Sequence, residues 1–142
     1  MARISFSYFV QDKLDPSTGQ VTGYFMRPFI PIRLSFHHSN PSNPVNALVD
    51  SGSDRNLFPK QWGDIIGVNF RKIHPVQITG IGKVIITAYP SKINIWIGNR
   101  KYETVADFSP QQETPLLGRS GFFSLFKEII FEENKSFLHI DI

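Results

Sequence analysis

An acidic residue directly after a short apolar run is the feature of this sequence best suited to chemistry. Residues 47–49 are Ala, Leu and Val, Asp50 comes next, and Ser51, Gly52 and Ser53 follow. We predict that a short β-strand brings the Asp50 carboxylate into a turn. Gly52 would let the backbone approach a ligand or another chain closely, and the Ser51 hydroxyl could brace the turn. Taken alone, the same residues also fit a polar turn with no chemical role.

Two later segments combine glycine with apolar residues. Thr79-Gly80-Ile81-Gly82 starts at the end of one apolar run, 76–79, and a second run occupies 84–87, so we predict a β-hairpin. Further on, Pro115-Leu116-Leu117-Gly118 is followed directly by Arg119. Each segment is common by itself, but their order behind Asp50 argues against coincidence.

In this order and spacing the three segments resemble the retroviral-type, or retropepsin-like, aspartic peptidase family. The resemblance covers about residues 45–140. It implies that Asp50 is the catalytic carboxylate and that Ser51, Gly52 and Ser53 form the active-site turn. It also implies that the glycine-rich segment 79–82 is the tip of a flap that contacts the substrate.

The resemblance further implies a structural ion pair between Asp54 and Arg119. A bidentate pair of an arginine and a carboxylate suits a place where two chain segments are locked together. Two departures accompany the likeness. Lys83 stands where the family commonly has another glycine, and the first 44 residues exceed the short N-terminal arm of viral members, so extra strands or an altered dimer edge are expected.

The fold implied is mostly β: a closed, orthogonal β-barrel of the single-lobe aspartic peptidase type with one or two short helices. Alternating apolar residues predict strands at 4–8, 21–25, 29–36 and 45–49, and a later hairpin joins 129–131 to 137–140. Helices are predicted at 60–66, between Pro59 and Gly67, and at 121–126. The alternating segment 137–142 is expected to pair inside a dimer sheet, with packing on its own subunit as the alternative.

The chain contains a single Asp-Ser-Gly segment. Peptide hydrolysis by carboxylates needs two of them about 3 Å apart that share one proton. The resemblance therefore implies a homodimer in which each subunit contributes Asp50, acting as an endopeptidase on a peptide or protein substrate. The alternatives are a catalytically silent peptide-binding or scaffolding domain of the same fold and, in a third class, a small basic nucleic-acid-binding β-domain.

Composition narrows the remaining possibilities. The 142 residues suit a single domain, 1–142, and 41% of them are hydrophobic. There is no cysteine, so disulfide scaffolds and thiolate metal sites are excluded, and the histidines lack metal-ligand spacing. We expect no metal and no cofactor. The net charge of +3 is scattered rather than clustered, so nucleic acid is not an expected partner. Without a signal-peptide pattern or a long apolar stretch, a cytoplasmic protein with no membrane partner is expected.

Overall fold

Alternation of apolar and polar residues arranges most of this chain into β-structure, with 54% of it in strands. The computed structural model describes residues 2–142. In chain order the strands are β1 (Arg3–Ser7), β2 (Phe9–Leu14), β3 (Val21–Arg27), β4 (Phe29–Ser35), β5 (Val45–Val49), β6 (Asn56–Pro59), β7 (Val76–Thr79), β8 (Ile85–Ile97), β9 (Arg100–Ser109), β10 (Leu116–Leu117), β11 (Glu128–Glu132) and β12 (Phe137–Asp141). One α-helix, α1 (Lys60–Ile66), lies within the described residues.

Six strands close into a barrel in the order β4-β5-β10-β6-β9-β8, and β8 returns to β4 to complete the ring. The closure is antiparallel, with Arg33 opposite Trp96 and Ser35 opposite Asn94. Two pairings inside the ring are parallel, β5 with β10 and β6 with β9. Strand β7 adds to β8 outside the ring. The predicted fold class, a mostly-β closed barrel with a short helix, is confirmed.

The barrel interior is filled by the inward-facing half of each strand. Along β4, Ile30, Ile32 and Leu34 are buried while Pro31 and Arg33 are exposed, as the two-residue period of a strand requires. Aromatic rings complete the core: Phe58 packs against Trp62 of α1, and the fully buried side chains include Phe58, Phe108 and Phe122. Burial of this apolar area is the main force that holds the barrel together.

A second, three-stranded sheet has the order β1-β12-β11. Its central strand, β12, is hydrogen-bonded on both edges, and Leu138 and Ile140 are fully buried. The expectation that segment 137–142 pairs inside a dimer sheet is therefore wrong for β12 itself. Packing on its own subunit, the alternative, is what the structure has.

The predicted helix at 60–66 forms with the predicted bounds. It starts after Pro59 and ends at Gly67, whose φ of 94° gives it the left-handed conformation of a helix C-terminus. The second predicted helix, 121–126, contracts to a 3₁₀ turn at Phe123–Leu125. Gly121 has a φ of 106°, so the chain cannot be helical there. Within residues 2–142 no helix has the length and apolar character needed to cross a bilayer.

Candidate active site

Asp50 is the first residue after β5, in a tight turn. Its backbone N–H donates to the Leu117 carbonyl over 3.0 Å, which ties the turn to β10. Inside the turn, the Gly52 N–H donates to Asp50 Oδ1 over 2.8 Å, and the Ser53 N–H donates to the Asp50 carbonyl over 3.1 Å. Asp50 is half-buried, and the Gly52 N–H orients one oxygen of its carboxylate. The predicted turn of Ser51, Gly52 and Ser53 therefore surrounds a fixed carboxylate.

The segment after β10 supports this turn from behind. Because β5 and β10 are parallel, with Leu117 beside Val49, the end of β10 lies beside the end of β5. Gly118 follows, and a Cβ at that position would collide with the backbone of Arg55, including its carbonyl oxygen. Only glycine allows this close approach of two backbones, which explains the glycine after the Leu-Leu pair.

A buried asparagine connects the strands around the turn. Asn56 is fully buried, its Oδ1 accepts from the Gly118 N–H over 3.0 Å, and its Nδ2 donates to the Val105 carbonyl over 3.1 Å. Both polar atoms of the side chain are satisfied, as burial requires. Asn56 was not among the predicted site residues. A polar amide next to the apolar pair Leu57-Phe58 was the available signal.

The predicted ion pair of Asp54 and Arg119 is absent from the salt bridges of residues 2–142. The two segments do meet, but through the backbone: the Arg119 N–H donates to the Ser53 carbonyl and the Ser120 N–H to the Asp54 carbonyl, both over 2.8 Å. The side chains of Asp54 and Arg119 are exposed. The two segments that the resemblance brings together are therefore neighbours, although the side chains of Asp54 and Arg119 do not pair.

A different arginine makes the bidentate pair. Arg55 Nε lies 2.7 Å from Asp107 Oδ2, and its second nitrogen lies 2.9 Å from Oδ1. The Asp107 side chain is only 2% exposed, whereas that of Arg55 is 48% exposed. The parallel pairing of β6 and β9 brings Asp107 opposite Leu57, close to Arg55. An acidic residue between Ala106 and Phe108 was the sequence signal that a partner was needed.

The predicted flap is a β-hairpin of β7 and the start of β8. Thr79 pairs with Ile85, and the Gly80 N–H donates to the Val84 carbonyl over 2.8 Å. At the tip, Gly82 has a φ of 77° and Lys83 a φ of 61°. Lys83 thus adopts the left-handed conformation that glycine favours, at the position where a glycine was expected. The side chain of Ile81 lies outside the part of the chain that the structure describes.

A cleft of about 740 Å³ separates the turn from the hairpin. On one side it is lined by Asp50 and its neighbours Gly52, Ser53 and Asp54, and on the other by Thr79 and Gly80. Most of the predicted site residues therefore meet in one place, while Ser51, Gly82 and Arg119 do not line the cleft. Its apolar wall consists of Leu57, Ile78, Val84, Ile86 and Leu116.

The loop after β9 completes the cleft and was not predicted. Gln111 and Gln112 line it, and the Thr87 N–H donates to Gln111 Oε1 over 2.8 Å. This bond ties the loop to the base of the flap strand β8. A half-buried carboxylate therefore faces a groove with apolar walls and amide side chains at its rim, an arrangement suited to an extended peptide.

Comparison with known proteins agrees with this geometry at the level of the fold. No protein-family model and no curated protein matches the chain. Among solved structures, a retropepsin-like aspartic protease from Rickettsia conorii superposes with a TM-score of 0.63 and 16% identity, over 98% of this chain and 89% of that one. The EIAV protease in complex with an inhibitor gives a TM-score of 0.53 and 20% identity, over 66% of this chain and 82% of that one. The chain has a retropepsin-like fold.

Proposed function

We propose that this protein is an aspartic endopeptidase whose active site forms between two copies of the chain, each contributing Asp50. The observation that carries the proposal is the cleft in which Asp50, oriented by the Gly52 N–H, faces the β7–β8 hairpin. The retropepsin-like fold supports it. One chain supplies one such carboxylate, and twofold symmetry supplies the second.

The chemistry follows from two carboxylates that share one proton, because like charges about 3 Å apart cannot both ionise. The ionised Asp50 takes a proton from water, and the hydroxide adds to the scissile carbonyl carbon. The protonated Asp50 of the partner subunit donates its proton to the carbonyl oxygen, which gives a tetrahedral diol. The Asp50 that took the proton from water then gives it to the amide nitrogen, and the now ionised Asp50 of the partner subunit accepts a proton from a diol hydroxyl. The C–N bond breaks, an acid and an amine leave, and the pair again holds one proton.

The walls of the cleft indicate the substrate class. Ile78, Val84 and Ile86 on the flap side, with Leu57 and Leu116 opposite, offer apolar surface to substrate side chains. Backbone groups of the hairpin and of the Asp50 turn can hydrogen-bond an extended peptide as an added strand. We therefore expect cleavage next to bulky apolar residues, within peptides or unfolded segments.

Digestion of a peptide library tests the proposal. The wild-type protein should cleave peptides at apolar sites, a statine-type inhibitor should block cleavage, and metal chelators should not. Asp50→Asn keeps the side-chain oxygen that accepts from Gly52 but removes the carboxylate, so it should be inactive with an unchanged circular dichroism spectrum. Turnover at the wild-type rate in this variant would exclude Asp50 as the catalytic group.

A second candidate is a peptide-binding domain of the same fold that does not cleave. Asp54 and Arg119, which the family resemblance pairs, form no salt bridge within residues 2–142, and this departure favours the second candidate. The same library separates the two candidates. Peptides that are bound and recovered intact from the wild-type protein would support the binding domain, whereas cleaved peptides would support the peptidase.

A further inference from the structure

The hairpin of β2 and β3 stands apart from the rest of the fold. It forms its own two-stranded sheet, paired from Phe9 opposite Arg27 to Leu14 opposite Val21. Every residue of β2 is exposed, and so is every residue of β3 except Gly23. At about 3.4 Å per residue the strands are about 20 Å long, and this whole length is left uncovered by the rest of the chain.

One face of this hairpin is apolar. Because directly opposed residues share a face, the register places five apolar residues and one acid together. We call this set the arm face: Val10, Asp12, Leu14, Val21, Tyr24 and Met26. Its five apolar members are between 46% and 67% exposed. The opposite face carries Phe9 and Phe25, which are less exposed, at 39% and 42%. Phe9 contacts the ring of Phe29, and Lys13 and Arg27 lie over the ring of Phe25, at 5.6 and 5.2 Å from its centroid.

The hairpin is nevertheless ordered, because hydrogen bonds close the turn at its tip. Its tip is closed by Asp15, whose Oδ1 accepts from both the N–H and the hydroxyl of Ser17, while the Gly19 N–H donates to the Asp15 carbonyl over 2.8 Å. The Ser17 hydrogen bonds hold the pKa of Asp15 below its usual value. A two-stranded hairpin alone in water is marginally stable, so an ordered one with a bare apolar face calls for a covering surface.

The root of the hairpin is fixed beside the Asp50 turn. On one side, buried Tyr8 donates its hydroxyl to Glu133 over 2.6 Å and its N–H to the Ser136 carbonyl over 2.8 Å. On the other side, the Pro28 carbonyl accepts from the N–H of Val49 over 3.0 Å, and Val49 directly precedes Asp50. In the proposed active site the two Asp50 carboxylates meet on the symmetry axis. The hairpin therefore starts within a few residues of that axis.

We propose that the β2–β3 hairpin is a dimerisation arm that packs its arm face on a second copy of this chain. The inference rests on the proposed function, since that function places the twofold axis beside the root of the hairpin. The arm does not lie on its own barrel, and the nearest other protein surface across the axis belongs to the partner. Symmetry makes the contact reciprocal, so each dimer gains two arms and is stabilised close to its catalytic pair.

Cross-linking from single cysteines tests the arm directly. The chain has no cysteine, so Tyr24→Cys on the arm face and Gln11→Cys on the opposite face each give one reactive site. Each variant is labelled with benzophenone maleimide, mixed in light and heavy isotope forms, and irradiated. A cross-link that joins a light chain to a heavy chain must connect two copies of the protein. We expect many such cross-links from position 24 and few from position 11. Cross-links confined to single chains at both positions would overturn the arm.

Sedimentation analysis adds an energetic test and separates this inference from the proposed function. The double variant Tyr24→Ser/Met26→Ser should raise the dimer dissociation constant about tenfold or more, while Gln11→Ser should stay within about twofold of wild type. At concentrations that restore the dimer, the double variant should regain wild-type activity. If the wild type and the double variant dimerise with the same dissociation constant, the arm is contradicted and the proposed function is not. A folded wild-type protein that is monomeric at every concentration contradicts both the arm and the shared pair of Asp50 residues.

Discussion

Asp107 is a carboxylate inside a buried stretch of strand, and it depends on one partner. Its two oxygens accept from Arg55 alone among the hydrogen bonds of the described residues, at 2.7 and 2.9 Å. Removing Arg55 would leave a desolvated carboxylate without a counter-charge. Because Arg55 directly follows the acidic residue of the Asp50 turn, the pair also fixes the far end of that turn.

We expect Arg55→Gln to lower the free energy of unfolding by about 2 kcal/mol. Loss of one partner of a fully buried pair costs about 3–5 kcal/mol, and the half-exposed Arg55 reduces this figure through solvent screening. Urea denaturation measures the loss. Arg119→Gln is the matched control and should change stability by less than about 0.5 kcal/mol. Equal losses in the two variants would contradict a particular contribution of the Arg55–Asp107 pair to stability.

These residues show how far local sequence information reaches. The family resemblance implied that the segment after Asp50 and the segment after Leu117 meet, and the structure has them side by side. Which arginine finds a carboxylate depends instead on the register between β6 and β9, strands that are distant in sequence. That register is set by packing of the whole barrel, so the Arg55–Asp107 pair could not be read from motif spacing.

At the scale of elements, the sequence predicted best those that carry their own boundary signals. Strand β5 and helix α1 have the predicted bounds, since α1 lies between Pro59 and Gly67. Strand β8 runs without a break over Ile85–Ile97, far beyond the run 84–87 that was predicted as the second arm of the hairpin. Pro90 lies between the pairing of β8 with β7, which reaches Ala88, and its pairing with β4, which begins at Asn94. Only β9 flanks β8 there, so a residue without an N–H is tolerated. Strand β2 was missed because its mixture of polar and apolar residues lacks a buried face.

The flap tip gives a prediction with a matched control. Gly82 and Gly98 both have a positive φ, 77° and 57°, and nothing lies within 4 Å of a Cβ added to either. Gly82→Ala and Gly98→Ala should therefore cost a similar backbone strain of about 1 kcal/mol, one in the flap and one in a distant turn. Because only Gly82 belongs to the hairpin above the cleft, only Gly82→Ala should raise KM for a cleaved peptide.

Steady-state kinetics and thermal denaturation of both variants check this prediction. The strain at position 98 should appear in the melting temperature with KM unchanged, since Gly98 lies in the turn between β8 and β9, away from the cleft. A KM that is unchanged in Gly82→Ala would mean that the conformation of the hairpin tip does not affect substrate binding.

At the scale of the whole molecule, ion pairs of the three-stranded sheet predict a loss of stability in acid. The pKa of Asp141 is lowered, chiefly by its hydrogen bonds from Arg3, and the pKa of Glu132 is lowered, chiefly by its hydrogen bond with His139. A lowered pKa in the folded state means that the unfolded chain binds more protons in acid. The stabilisation is therefore complete above about pH 5 and is lost as pH falls through the lowered values.

Thermal denaturation between pH 7 and pH 2 at fixed protein concentration measures this effect. The wild-type melting temperature should fall steeply below about pH 4. Asp141→Asn should melt at a lower temperature than wild type at neutral pH and show a flatter decline in acid. Asp64→Asn, which removes an exposed carboxylate 3.9 Å from Lys60, is the control and should keep the wild-type curve. If the melting temperature of Asp141→Asn falls with pH as steeply as that of wild type, the Arg3–Asp141 pair is not the source of the acid sensitivity.

The last prediction concerns the number of chains in one active site. If each active site needs the Asp50 of both subunits, a mixed dimer of wild-type and Asp50→Asn chains has one carboxylate and cannot share a proton between two. Free exchange of subunits would then leave active only those wild-type chains that meet another wild-type chain. With about a tenfold excess of Asp50→Asn over a fixed amount of wild type, random pairing reduces activity to about one eleventh.

The measurement uses saturating peptide, so that inactive dimers do not deplete the substrate, and a protein concentration well above the dissociation constant. The control adds the same excess of Asp50→Asn carrying Tyr24→Ser/Met26→Ser, which should inhibit less if the arm drives pairing. Activity unaffected by the excess of Asp50→Asn, with subunit exchange verified by isotope labelling, would show that one chain alone holds the complete catalytic machinery.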